Sequence, residues 1–461
     1  MAEIADLRSF IDALEAEGQL ARIVRRVSIE HELADVGAAL ARSGTHAALF
    51  ESVDGSQWPI FCGGLASHRR TAIALGCGVE EIIDVMEHVL DPQNGVAPVR
   101  VEQAAWHANQ ALGDDTASVE LPIPTHSRGD GGAFITGAVT VAKDPVSGRG
   151  NLGYNRMLKM GPTRFGFNVN EWRDVGTFWK SRDDPDAPFP IALAIGLDPA
   201  VMIAAGVKTP VDELFIAGAI RGRGIEVCRG TTVDIDIPAS AEIVVEGLLH
   251  PADRESEGPL AEFHGYHGEA WNSPTFEVTS ISWRDDPIYQ TIIVGKPPQE
   301  DCYMGHAVER IFLPLIRKQL PEIIDMHMPF EGIFHNLVLV TIRKRYPGHA
   351  QKVMHALWGM GLLMLTKTII VVDHDVNVQD PSEVAWRVTN NINPATDITF
   401  AEGPIDDLDH ATPIPKFGSK MGIDATAKGI TDGRSREWPP DIVMSEEIKT
   451  LVDHRWKEYG F

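Results

Sequence analysis

The sequence predicts a mixed α/β protein built from consecutive units, and three features of its pattern carry that reading. Five central segments, 133–143, 190–197, 241–248, 275–283 and 287–294, are rich in Val, Ile and Thr and bounded by Gly, Pro or Asp, as β-strands are. From residue 333 onward, strand-like and helix-like segments alternate (333–342, 348–360, 368–373, 381–391, 397–401), the βαβαβ rhythm of an α/β domain. The first hundred residues mix short helical and short apolar stretches.

The units follow in order. Residues 1–110 form an N-terminal α/β unit. Leu7, Phe10, Ile11 and Leu14 recur at helical spacing, with Asp6 as N-cap and Gly18 as stop, and a second helix is expected near 79–90. Residues 111–300 form a strand-rich domain entered through the Pro/Gly-rich loop 121–132. So many strands with few long helices call for a barrel or a sandwich. Residues 301–322 form a linker helix, expected to kink at Pro314. Residues 323–440 form the C-terminal α/β domain. A last helix in 441–461 starts at Ser445, with Glu446 and Glu447 in its first turn. Its stripe of Ile448, Leu451, Val452 and Trp456 is expected to dock on the body or on another subunit.

Composition narrows the function. The 461 residues carry 41 Lys and Arg against 65 Asp and Glu, a net charge of −24, which repels a phosphate backbone and argues against nucleic-acid binding. The four cysteines, Cys62, Cys77, Cys228 and Cys302, include no CxxC pair and read as reduced thiols. The N-terminus lacks the basic start and apolar run of a signal peptide. The most apolar stretch, 361–372, is short and interrupted by Lys367, so no bilayer span and a cytoplasmic location are expected.

Several motifs bear on chemistry. GRGNLG, 148–153, matches GxGxxG but opens no apolar helix, so its glycines are read as serving a tight turn rather than a dinucleotide. Asn151 and Arg156 lie five apart on an expected strand edge. An amide oxygen suits a hard cation and a guanidinium suits a carboxylate, although a solvated turn has the same composition. ESEGPLAEFHGYHGE, 255–269, sets Glu257 and Glu262 among glycines and a proline. Two carboxylates near an arginine make a proton-transfer constellation, and an acidic surface loop is the plainer alternative. His264 and His267 have a spacing found in zinc sites, without a matching second pair. Lys420, between glycines in GSKMGIDATAK, is either a phosphate-holding lysine or part of a surface loop.

Taken together and in this order, GAVTVAKDPVSGRGNLGYNRM (137–157), TPVDELFIAGAIRG (209–222), IDIPASAEIVVEG (235–247), EGPLAEFHGY (257–266), GKPPQED (295–301), YPGHAQKVMHALWGMG (346–361) and LDHATPIPKFGSKMGIDAT (408–426) resemble the UbiD family of non-oxidative decarboxylases. The resemblance implies a flavin-reductase-like split β-barrel for the central domain. It implies prenylated FMN as cofactor, its phosphate held with Mn2+ or another divalent cation and with K+. Asn151 and Glu213 would be metal ligands. Asn151, Gly153, Tyr154, Asn155, Arg156 and Lys420 would contact the cofactor, and Glu257, Arg156 and Glu262 would form a catalytic network. The implied substrate is an aromatic acid, hydroxyaryl and quinone-precursor-like, with CO2 as the other reactant or product. A flavin prenyltransferase would supply the cofactor, and a homodimer or higher homo-oligomer would be the assembly. One departure stands out: residues 157–180 contain no His where many members have one, leaving Asn168, Glu171 or Arg173 for that place. A flavin-dependent oxidoreductase and a non-catalytic assembly subunit are the rival readings.

Overall fold

The computed structural model describes residues 3–170, 173–207, 211–333 and 335–460. Among these residues the strands form four sheets. In the N-terminal unit, helix Leu7–Ala16 is capped by the Asp6 carboxylate, and Leu7, Phe10, Ile11 and Leu14 are the residues it buries, as their spacing predicts. Beside it, Leu20–Ile23, Ala47–Phe50, Ile60–Cys62 and Tyr289–Gln290 form a four-stranded sheet. The segment 287–294 thus supplies two strand residues, not eight, and pairs with Ile60–Cys62 instead of joining the central sheet.

The central sheet has nine strands among the described residues. Its path runs Phe134–Ile135, Met157–Lys159, Arg164–Phe167, Trp271–Trp283, Ile243–Glu257, Phe189–Ile195, Val139–Lys143, Gly150–Tyr154, with Asn109–Leu112 adding to Trp271–Trp283 off that path. The chain order makes this sheet curl. Gly150–Tyr154 ends one side of the path, whereas Met157–Lys159 lies one strand in from the other end. Only Asn155 and Arg156 connect them. Three peptide units reach at most ~11 Å, so the two ends of the sheet must approach each other, and Arg156 sits at the seam. The interior is filled by Phe165, Phe167, Phe189, Ile191, Leu193, Val245 and Phe276, all buried. The glycines of 148–153 serve the hairpin from Val139–Lys143 into Gly150–Tyr154, with Gly148 at φ +76°, a turn conformation that a Cβ disfavours.

Helix Glu300–Gln319 leads out of this domain and continues through Pro314. The C-terminal sheet is ordered Ile323–His327, Leu337–Ile342, Thr368–Asp373, Phe417–Asp424, Ile398–Pro404, parallel at its centre. Helix His349–Trp358 covers it with Ala350, Val353, Met354 and Leu357. Phe417–Asp424, which holds Lys420, is therefore an inner strand and not a loop. The last helix, Glu446–Arg455, begins with the Ser445 hydroxyl accepting from Ile448 N–H, but none of its residues is buried. Its apolar stripe does not dock on the body. No helix among the described residues is long and apolar enough to cross a membrane.

Candidate active site

The seam of the central sheet meets the end of strand Ile243–Glu257. There the Arg156 guanidinium donates through Nε to Glu257 Oε1 at 2.9 Å and through Nη2 to Glu257 Oε2 at 3.1 Å, a two-pronged pair. Its remaining corner, Nη1, pairs with Glu262 Oε1. Asn168 Nδ2 donates a further bond of 2.9 Å to Glu257 Oε2. Glu257 is fully buried and Glu262 is 6% exposed. The three residues picked out by sequence are brought together, and Glu257 is the more firmly held of the two acids.

Local structure explains that difference. Glu257 sits on a strand paired with Trp271. Gly166, on a neighbouring strand, leaves it room: a Cβ there would lie 3.1 Å from Glu257 Cβ and Cγ. Glu262 rides a loop instead. Leu260 pins that loop by inserting between Phe134 and Leu158, a burial worth roughly 2–3 kcal/mol. Asp130 accepts from Ala261 N–H at 2.8 Å, and Glu262 N–H donates to Tyr266 O at 2.8 Å. His264 and His267 diverge: the first lies beside Tyr266 and His410, the second beside Ser127 and Asp130. They share no site. A cavity lined by His126, Ser127, Ala261, Tyr266 and Lys296 opens beside this loop. Burial pushes the His126 imidazole down to about 4.

A second cluster lies along Gly150–Tyr154. Asn151 Nδ2 is 3.4 Å from Glu213 Oε1 and 3.3 Å from Asp174 Oδ2, and Leu152 N–H donates to Glu213 Oε2 at 2.9 Å. Glu213 opens helix Glu213–Arg221, and Asp174 opens helix Asp174–Lys180. Burial, with Asp212 and Asp174 nearby, pushes the Glu213 carboxyl up to about 8 against the opposing Leu152 hydrogen bond. Arg149 pairs with Asp174 at 3.0 Å. The amide of Asn151 turned over presents Oδ1 at the same place. An amide oxygen and two carboxylates, one deeply buried, are the donors of a hard divalent cation, so this cluster fits the metal that anchors a phosphate. Asp174 is the residue that sequence reasoning missed. It lies in the stretch without His, 23 positions after Asn151, and no motif marks it.

The other expected cofactor residues are spread more widely. Gly153 lies on the same strand as Asn151, and Tyr154 OH donates to Met202 O at 2.8 Å. Asn155 Nδ2 donates to Asn168 O at 3.1 Å. Asn168 thus braces Glu257 and Asn155 rather than the cation cluster. Arg173 is the N-cap position of helix Asp174–Lys180, and Glu171 lies outside the described residues, as do Thr209 and Pro210. Lys420 Nζ donates to Met364 O and, at 3.0 Å, to Thr366 O. Burial lowers its ammonium to about 8. No recorded contact joins it to Asn151 or Glu213 among the described residues.

A curled β-domain between two α/β units, holding a buried Arg–carboxylate network and an oxygen-lined cluster, defines a carboxy-lyase scaffold. Three consecutive family models match the chain: the N-terminal domain of 3-octaprenyl-4-hydroxybenzoate carboxy-lyase over residues 11–89, its Rift-related domain over 98–297 and its C-terminal domain over 302–425. The chain belongs to the UbiD family. An uncharacterized protein of Archaeoglobus fulgidus is 38% identical over 473 residues, 98% of each chain. Among solved structures, the UbiD-class enzyme HmfF from Pelotomaculum thermopropionicum in complex with FMN is 32% identical, covers 97% of this chain and 100% of its own, and superposes with a TM-score of 0.86. An evolved dimeric form of HmfF, in complex with prFMN, is 30% identical over 98% of this chain and 100% of its own, with a TM-score of 0.83. The vanillic acid decarboxylase of Sedimentibacter hydroxybenzoicus in closed form is 26% identical, covers 99% of this chain and 100% of its own, and reaches a TM-score of 0.90.

Proposed function

We propose that this protein is a prenylated-FMN-dependent (de)carboxylase of an aromatic, hydroxyaryl, quinone-precursor-like acid, with a Glu–Arg–Glu network moving the proton. The observation that carries this reading is Arg156 held between Glu257 and Glu262. Loss of CO2 from an sp² carbon leaves an electron pair with no sink in the substrate, and the modified flavin supplies that sink when bound.

The chain's own residues then divide the work. Arg156 orients the substrate carboxylate through its planar donors. Glu257, fixed on its strand, aims Arg156. Glu262, on the loop and engaged only at the Nη1 corner, delivers a proton to the carbon that loses CO2 and takes it back in the carboxylation direction. Asn151, Glu213 and Asp174 hold Mn2+ or another divalent cation against the flavin phosphate, with K+ beside it. Gly153, Tyr154 and Asn155 line the flavin, and Lys420 turns from its backbone carbonyls to the phosphate. The dimeric HmfF relative and the exposed helix Glu446–Arg455 support a homodimer or larger homo-oligomer in which that helix lies on the partner subunit.

The experiment is coexpression with a flavin prenyltransferase, followed by CO2 release and deuterium uptake from heavy water across a panel of aromatic acids. Solvent deuterium at the former carboxyl carbon, lost in Glu262→Gln with flavin still bound, is the expected result. NADH oxidation without CO2 release would replace this reading with an oxidoreductase.

A further inference from the structure

Away from that site, a nitrogen-rich group gathers where three units of the chain meet. His306 and Glu309 stand at i and i+3 on helix Glu300–Gln319, which puts both side chains on one face. His327 ends strand Ile323–His327. Among the described residues, these are the three His, Cys, Asp or Glu side chains whose ligand atoms all lie within 4.8 Å of one another. His327 Nδ1 is 3.2 Å from Glu309 Oε2, and His306 Nε2 is 3.6 Å from Glu309 Oε1. A fourth donor comes from the N-terminal unit: the His68 ring centroid lies 4.5 Å from that of His306, and His68 Nε2 is buried without a hydrogen-bond partner.

We propose that His306, Glu309, His327 and His68 bind one divalent cation of the zinc class, tying the N-terminal unit to the linker helix and the C-terminal domain. Three imidazoles and one carboxylate are a donor set for a borderline ion such as Zn2+ or Co2+, not for the hard cation suited to the oxygen-lined cluster around Asn151. The surroundings are those of a supported ligand. Glu309 is fully buried, and its oxygens accept from Arg310 Nη2 and from Met328 N–H, the outer hydrogen bonds that orient metal-bound carboxylates. The Arg310 charge is met by Asp325, 2.8 Å from Nη1, so it does not stand unbalanced beside the ion. The two sites differ in every ligand, so this proposal stands or falls independently of the decarboxylase reading.

The test uses tag-free holoenzyme, freed of transition metals by chelation and titrated with Co2+ alone. One equivalent should give the intense visible ligand-field absorption of a four-coordinate nitrogen-rich site, and one equivalent of Zn2+ should abolish it. His306→Gln, His327→Gln and His68→Gln should each weaken Co2+ binding about tenfold or more, while Glu213→Gln leaves the band in place. A wild-type protein with no saturable cobalt band overturns the proposal without reference to any variant. So does a band that survives all three histidine changes together, or one that disappears in Glu213→Gln.

Discussion

The two polar clusters along the seam of the central sheet are built on opposite principles. Around Arg156, two carboxylates meet one guanidinium, and the amide of Asn168 adds a fourth partner, so most donor positions are filled by the chain itself. Around Asn151, the acids Glu213 and Asp174 converge with Arg149 as the recorded cation, bound only at the Asp174 side, and the Glu213 carboxyl is driven up to about 8. One cluster closes on itself, whereas the other is complete only when a positive ion arrives. The contrast teaches that the first is preformed for proton movement and the second is a socket.

The sharpest way to break this contrast is Glu262→Gln. It keeps the shape of the Arg156 cluster and removes the proton, so turnover should fall ~10²–10⁴-fold while flavin content, read from the visible spectrum, is unchanged. Equal loss of flavin and turnover would erase the division of labour. Next in size, Glu213→Ala should weaken divalent-cation binding by ~10–100-fold and deplete flavin in proportion, measured by elemental analysis and flavin release. Asp174→Ala should do the same if it is the third ligand, and full cation retention would remove it from the socket.

Smaller effects sharpen the picture. Gly166→Ala pushes a Cβ against Glu257 and Met160, and crowding of that kind costs about 1–3 kcal/mol in a packed interior. Lowered kcat with unchanged cation content would show that Glu257 aims Arg156. The mildest prediction concerns acid. His126 is buried neutral with its ring pushed down to about 4, below the unfolded value near 6.5. Between those values the unfolded chain binds a proton that the native one refuses, so native stability falls as pH drops from about 6.5 to 4. In His126→Phe that part of the slope should vanish in denaturant melts taken across the range.

Sequence and structure agree where pattern is local. Leu7, Phe10, Ile11 and Leu14 face inward at their helical spacing, and Pro381–Asn391 and Thr368–Asp373 form over the expected residues. The Glu257/Arg156/Glu262 set was legible because residue chemistry and family motif coincided. Phe417–Asp424 was not, because its two glycines and a lysine read as a loop. In the fold Gly422 is required by packing: a Cβ there would meet Met354 Sδ at 2.5 Å. Ile323–His327 was invisible for a related reason, since its alternation is weak and pairing with Leu337–Ile342 decides it. Asp174 and His327 carry no motif at all. Each joins its cluster through tertiary contact across more than 15 positions, a distance at which composition and periodicity say nothing.

The two-residue link between Tyr154 and Met157 has one more implication. Arg156 is the stitch that keeps the curled sheet shut, so any loosening of the cylinder swings the guanidinium before it melts a strand. Warming or mild denaturant should therefore silence the enzyme while its secondary structure still stands. Substitutions that tighten the aromatic filling around Phe165 and Phe276 should raise the temperature of inactivation more than that of unfolding.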